Sequence, residues 1–261
     1  MELTSNHFPD SIVQWFSDAR SAATSTREAI ENIMLAWRKE DLEQASFPWI
    51  LGQSGLPWLP LKLDFPFQKM AEEARALRDR FVSHRSGVKD GGYVNGNRGW
   101  AALALHGISP THTMSFNVYR YPSEEDTPYQ WTEIADLCPV TTRFFKETYP
   151  CDRYYRVRYT IIEPGGFIYP HTDRKKSALW EVNLALQNPD GFHFKMDGAG
   201  YVPFSNGRAF ILDVSKEHAI VNHSDQDRIH MIVHGNPMRH PKFQKMILDS
   251  FLDALKNPES L

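Results

Sequence analysis

The sequence predicts an α+β fold with a mainly β core: a double-stranded β-helix (jelly roll, cupin-like) with a helical N-terminal part and a C-terminal helix. Three observations predict it. The first ninety residues place apolar side chains at helical spacing. From Trp100 onward short β-type runs dominate, most of them separated by Gly, Pro, Asn or Asp. The chain then closes on an amphipathic stretch, "KFQKMILDSFLDALKN".

In the N-terminal part, Ile12, Val13, Trp15 and Phe16, then Ile30, Ile33, Met34 and Trp37, recur every three or four residues and predict helix. "PFQKMAEEARALRDRFVSH" predicts a second helical segment. Between them, "SFPWILGQSGLPWLPLKLDFP" is rich in Pro and aromatics and reads as a loop wrapping a surface. "DGGYVNGNRG", residues 90–99, marks a change of character. A division follows: residues 1–95 as a helical segment packed on the core, and 96–261 as the β-helix with its last helix. "WAALALHG" and "TMSFNVYRY" are the first expected strands, and "VTTRFFKET" a helix. Eight strands follow: "YYRVRYTIIEP", "GFIYPH", "ALWEVNLALQ", "GFHFKM", "YVPF", "RAFILDV", "HAIVN" and "RIHMIVHG". That number and spacing suit an antiparallel sandwich, barrel or jelly roll.

Composition narrows the function classes. The 261 residues are 41% hydrophobic and 13% aromatic, enough for a packed core. A net charge of −3 with interspersed signs argues against a nucleic-acid surface. No run of about 18 apolar residues predicts a membrane span, and "MELTSNHFPD" does not read as a secretory signal. Cys138 and Cys151 read as reduced thiols of a cytoplasmic protein. Any bound metal must therefore rely on His and carboxylate. The sequence specifies no oligomeric state.

His171 and Asp173 form a His-x-Asp pair just after a Gly-Gly turn. Such a pair needs a distal third ligand, and His193, His218, His223, His230 and His234 are candidates. His218 stands out because "GRAFILDV" and a short loop deliver it to the start of a strand, with Arg228 ten residues later on the next. A two-His, one-carboxylate face leaves adjacent positions open on iron(II). An oxygenase fills these with a 2-oxo acid and O2. The far carboxylate of the oxo acid then calls for a fixed, bidentate cation, and Arg suits that. The competing reading of Arg228 is a surface ion pair with Asp225 or Asp227, worth under about 1 kcal/mol. The flanking "IHMIV" argues for a half-buried strand instead. Strand parity agrees: Arg228, His230 and His234 share one face, Arg158 and Thr160 another, Glu181 and Asn183 a third.

The order of these residues is similar to that of iron(II)- and 2-oxoglutarate-dependent oxygenases. More narrowly, "VRYTIIEPGGFIYPHTD", "WEVNLALQNPDGFHFKMDG", "GRAFILDVSKEHAIVNHSDQDRIHMIV" and the weaker "GWAALALHG" resemble the aspartyl/asparaginyl β-hydroxylase family. The resemblance implies His171 and His218 as iron ligands, Arg228 on the distal carboxylate of 2-oxoglutarate, and Thr160 as its hydroxyl partner. Asp173 completes a triad, although the animal member has Gly there and works with two His ligands. Glu181 and Asn183 replace a family Arg and His that face oxo acid and substrate. The animal enzyme's substrate therefore does not carry over. His230 is a further candidate for the oxo-acid pocket.

The expected activity is that of an iron(II)- and 2-oxoglutarate-dependent dioxygenase. It would use O2 to hydroxylate an unactivated C–H bond of an amino acid, peptide residue or small metabolite, releasing succinate and CO2. The alternative is a cupin-like protein that binds metal and carboxylate without oxygen chemistry, or a metal-dependent isomerase on the same jelly roll.

Overall fold

A computed structural model describes residues 8–18, 26–43, 45–84, 97–258 and 261. Alternation along the strands decides which side chains meet. On β5 (Tyr154–His171), Val157, Tyr159 and Ile161 point to one face while Arg156, Arg158 and Thr160 point to the other. On β11 (Arg228–Gly235), Ile229, Met231 and Val233 oppose Arg228, His230 and His234. β6 (Glu181–Gln187) sets Val182 and Leu184 against Glu181 and Asn183.

The apolar faces form one core with the helices. It includes Met70 and Ala74 of α5 (Phe67–Ala76), Phe144 and Phe145, and Phe243, Ile247 and Phe251 of α8 (Pro241–Lys256). The polar faces turn inward, toward a cavity. A smaller cluster sits outside the other leaf, where Phe8, Ile12 and Phe16, from α1 (Asp10–Asp18) and the residues before it, cover Phe167, Ala219 and Val221.

All strand pairs are antiparallel and belong to one curled sheet. β1 (Trp58–Leu61), β9 (Ala209–Leu212), β6, β11, β5, β10 (His218–Asn222), β7 (Phe192–Met196) and β8 (Gly200–Tyr201) run in that order. β3 (Arg98–Gly107) pairs with the first half of β5, and with β2 (Val82–Ser83) and β4 (Gln130–Trp131). This is the expected jelly-roll core with helices at both ends. Among the described residues no helix is long and apolar enough to cross a membrane.

β5 carries the curl. The two expected strands "YYRVRYTIIEP" and "GFIYPH" are one bent strand: residues 154–162 pair with β11, and 167–171 with β10. The bend lies at Gly165 and Gly166. Gly165 has φ +69°, a region open to Gly at little cost. A Cβ on Gly166 would lie 2.7 Å from the Glu163 carbonyl and 3.0 Å from that of Arg98.

Three other expectations change. "TMSFNVYRY" is not a strand. Its centre, Phe116–Tyr119, is a short 3-10 turn ending at Arg120, which has φ 66°. The loop expected at 46–66 contains α4 (Phe47–Gly52) and β1, whose Pro60 is tolerated because β1 is an edge strand. "YVPF" keeps only one strand residue, Tyr201, since Pro203 donates no ladder hydrogen bond. Most of the turn-rich stretch and the boundary at 95/96 lie outside the described residues.

Gly166→Ala is expected to lower stability by roughly 1–3 kcal/mol, because the clash is with backbone rather than a movable side chain. Gly52→Ala, where no atom lies within 4 Å of the added Cβ, serves as control and should change little. Urea denaturation of both variants checks this.

Candidate metal centre

The bend of β5 returns the strand to β10, and the register sets His171 directly opposite His218. The ring centroids lie 4.3 Å apart. Each Nδ1 reaches a backbone carbonyl: His171 that of Tyr169 at 2.8 Å, His218 that of Lys216 at 2.9 Å. A carbonyl only accepts, so each Nδ1 carries the proton and each Nε2 presents a lone pair. Both Nε2 atoms lie 3.7 Å from an Asp173 oxygen. Burial, then the neighbouring His171, pushes His218 down to about 4, so its ring is neutral at neutral pH.

The scaffold of the triad is local. The Asp173 amide donates to the Val214 carbonyl at 2.9 Å. Buried Asp213 accepts from the Ser177 and Ser215 hydroxyls and from the Ala178 and Ser215 amides, which fixes the loop leading to His218. Phe194 stacks flat on the His218 ring, 5.2 Å between centroids.

The donor set suits a divalent cation. One ligand atom from each residue lies within 4.8 Å of the others. Bonds of roughly 2.1 Å at right angles place ligand atoms roughly 3 Å apart. The contraction needed is small, and the half-exposed Asp173 side chain is free to supply much of it. Two imidazoles and a carboxylate with open positions are the donor set of non-haem iron(II) sites.

The triad stands in a cavity of about 410 Å³, also lined by Arg156, Arg158, Glu181, Asn183, His230 and His234. On β11, His230, Ile232 and His234 reach the cavity, while Arg228 lies one step further in. Arg228 is fully buried. Its guanidinium lies over Phe192 (4.3 Å) and Phe204 (4.9 Å), and none of its three nitrogens has a hydrogen-bond partner. The surface-pair alternative fails on geometry: Asp227 bonds Arg78 instead, at 2.6 Å. Thr160, opposite His230, is equally buried, and its hydroxyl and the His230 Nδ1 also lack partners. A charge held in this way calls for an anion. The residues present therefore fit a divalent metal, and the buried Arg228 guanidinium fits an anionic group. Of the remaining candidates, His193 and His223 approach each other at 3.2 Å and stand apart from the triad.

Sequence reasoning assigned no role to Arg156, His84, Trp100, Met114, Ser115 or Val118, all of which line the cavity. Parity was the available signal for Arg156, two residues before Arg158. His84 stacks on Trp100 at 3.6 Å, across the β2–β3 pairing, and no short motif announces it.

The jelly-roll core and this donor set define a candidate non-haem metal protein. A sequence model described as "Aspartyl/Asparaginyl beta-hydroxylase" matches residues 65–237. The chain belongs to that family, and it is an oxygenase enzyme. No curated protein matches it. Among solved structures it is similar to a prolyl-4-hydroxylase from Pseudomonas putida, at 14% identity and TM-score 0.40, covering 76% of this chain and 96% of that one. The collagen prolyl hydroxylase of Paramecium Bursaria Chlorella virus-1 has 13% identity and TM-score 0.35, with 69% and 96% covered. SnoK, an alpha-ketoglutarate-dependent carbocyclase from nogalamycin biosynthesis, has 14% identity and TM-score 0.39, with 76% and 84% covered.

Burial pushes Glu181 up from 4.5 to about 7, against the pull of Arg156. Its folded pKa is thus above its unfolded one, so ionisation costs stability as pH rises from about 4.5 through 7. In metal-free protein, Glu181→Gln should gain on the parent between pH 5 and pH 8, by at most about 3 kcal/mol. Thermal melts across that range, in chelator, test the sign.

Proposed function

We propose that the chain is an iron(II)- and 2-oxoglutarate-dependent dioxygenase. It hydroxylates an unactivated C–H bond of an amino acid, a peptide residue or another small metabolite. The observation that carries this is the convergence of two imidazoles and a carboxylate on one point, with a buried, unpartnered guanidinium on the neighbouring strand. Iron(II), 2-oxoglutarate and O2 together supply the oxidising power, with succinate and CO2 as by-products.

His171, Asp173 and His218 hold the ferrous ion from one side. The carbonyls of Tyr169 and Lys216 keep both histidines in the ligating tautomer. Arg228 anchors the distal carboxylate of 2-oxoglutarate, helped by the Thr160 hydroxyl and His230, whose free polar atoms face the same layer. The Phe192 and Phe204 rings exclude water from that end and strengthen the ion pair. Asn183 and Glu181 lie near the substrate, on the same wall of the cavity.

Succinate formation from 2-oxoglutarate under air with iron(II) and ascorbate tests the proposal. Turnover favours the oxygenase. Tight iron binding without turnover on a broad amino-acid and peptide panel would favour a metal- and carboxylate-binding protein. His171→Ala and His218→Ala should each abolish iron binding and succinate release. Arg228→Met should keep iron and lose 2-oxoglutarate affinity by at least about 100-fold, since a buried charge pair is broken from one side. The same variant should leave metal-free protein unchanged or stabilise it by about 1–4 kcal/mol, because an uncompensated buried charge is gone.

A further inference from the structure

The oxo acid and the metal do not account for every charge in the cavity. Arg156 and Arg158 stand on β5, two residues apart on the inner face. Both direct an Nη1 at the Thr113 carbonyl, and the Nε of each is buried without a partner. Across β11, on β6, stands Glu181. Its Oε2 lies 3.1 Å from His234 Nδ1, yet forms no hydrogen bond of acceptable geometry, and the other nitrogen of His234 is also unpartnered. His234 pairs with Arg156 in the ladder, so a neutral ring separates the carboxylate from the guanidinium. Two strand spacings place the two backbones roughly 10 Å apart. Neither arginine forms an ion pair with Glu181. Opposite charges thus face one cavity, with the His234 ring between them.

We infer that this is the recognition site for the main-chain groups of a free α-amino acid: Arg156 and Arg158 receive its carboxylate, and Glu181 its ammonium. The inference rests on the oxygenase reading for the chemistry and narrows its substrate class. A lone anion would satisfy the arginines and leave Glu181 worse off. An internal peptide residue carries neither charge. A zwitterion offers each wall its counter-charge at once. Burial, with the charge of Asp173, raises Glu181 against the pull of the arginines, and a substrate ammonium would add a cation that favours its ionised state. The cavity, also lined by Met114, Ser115 and Val118, has a volume of about 410 Å³, which suits a small ligand. The apolar side chains of Ile168, Leu212, Val214 and Ile220 remain for the substrate's side chain.

The test uses the full chain and the twenty proteinogenic L-amino acids, each with its N-acetyl and carboxamide forms. Binding is read by calorimetry and thermal shift in chelator, and again with iron(II) and 2-oxoglutarate without O2. At least one free amino acid should bind. Blocking either end should weaken it by about 10- to 100-fold, the loss expected when one buried charge is left unpaired. Glu181→Gln and Arg156→Gln should reproduce that loss. Both should keep the visible absorption band of the ferrous–oxo acid complex at the parent's 2-oxoglutarate concentration. Equal binding of free and blocked forms overturns the inference, as does no binding across the panel. A shift of the oxo acid's own affinity in either variant would assign these side chains to 2-oxoglutarate and overturn it too. Absence of the ferrous–oxo acid band in the parent protein would instead sink the oxygenase reading. The amino-acid titrations in chelator would still decide the subsite.

Discussion

One strand bends back on itself, and the site depends on that bend. The first half of β5 brings Arg156, Arg158 and Thr160 to one wall. The second half, after Gly165 and Gly166, delivers His171 to the opposite leaf, against His218. Both walls are therefore covalently tied within eighteen residues, and their relative position is set by backbone geometry at two glycines. The ladder with β11 on one side and β10 on the other leaves little freedom for the triad to drift. A metal centre needs its ligands held to fractions of an ångström. Here sheet register supplies that accuracy for the two histidines, while loop hydrogen bonds place the Asp173 backbone.

The same sheet separates two kinds of interior. Outward faces of β5, β6 and β11 join helices in an apolar core, where burial stabilises in the ordinary way. Inward faces hold two buried arginines, Arg158 and Arg228, and half-buried Arg156 and Glu181, with several polar atoms unsatisfied. Such groups cost free energy in the ligand-free protein, and the apolar layer must offset that cost. The arrangement is pre-set for ligands: anions and cations that enter replace missing partners rather than displacing existing ones.

Much of this was legible in the residues. That His171, Asp173 and His218 meet was legible because metal chemistry constrains residue type and order together, and that Arg228 is buried was legible from its apolar flanks. The β runs were legible because period-two patterns survive in single sequences. What escaped detection depends on tertiary context. Pro60 and its aromatic neighbours look like loop until an edge is available to pair with. "TMSFNVYRY" has β-type residues, but Arg120 takes a left-handed conformation and the segment lines the cavity instead. Arg156 carried no motif. Only the sheet shows that it faces the same space as Glu181.

The pairing of β1 with β9 has an outcome for anyone dividing this chain. The family match begins at residue 65, after β1, and ends at 237, before α8. A fragment cut to those limits would strip the strand that caps the sheet's open border and uncover Phe210 and Leu212 on β9. Bare main-chain donors and acceptors beside such side chains are a template for adding strands from other molecules. The trimmed piece would carry every proposed ligand and still tend to clump.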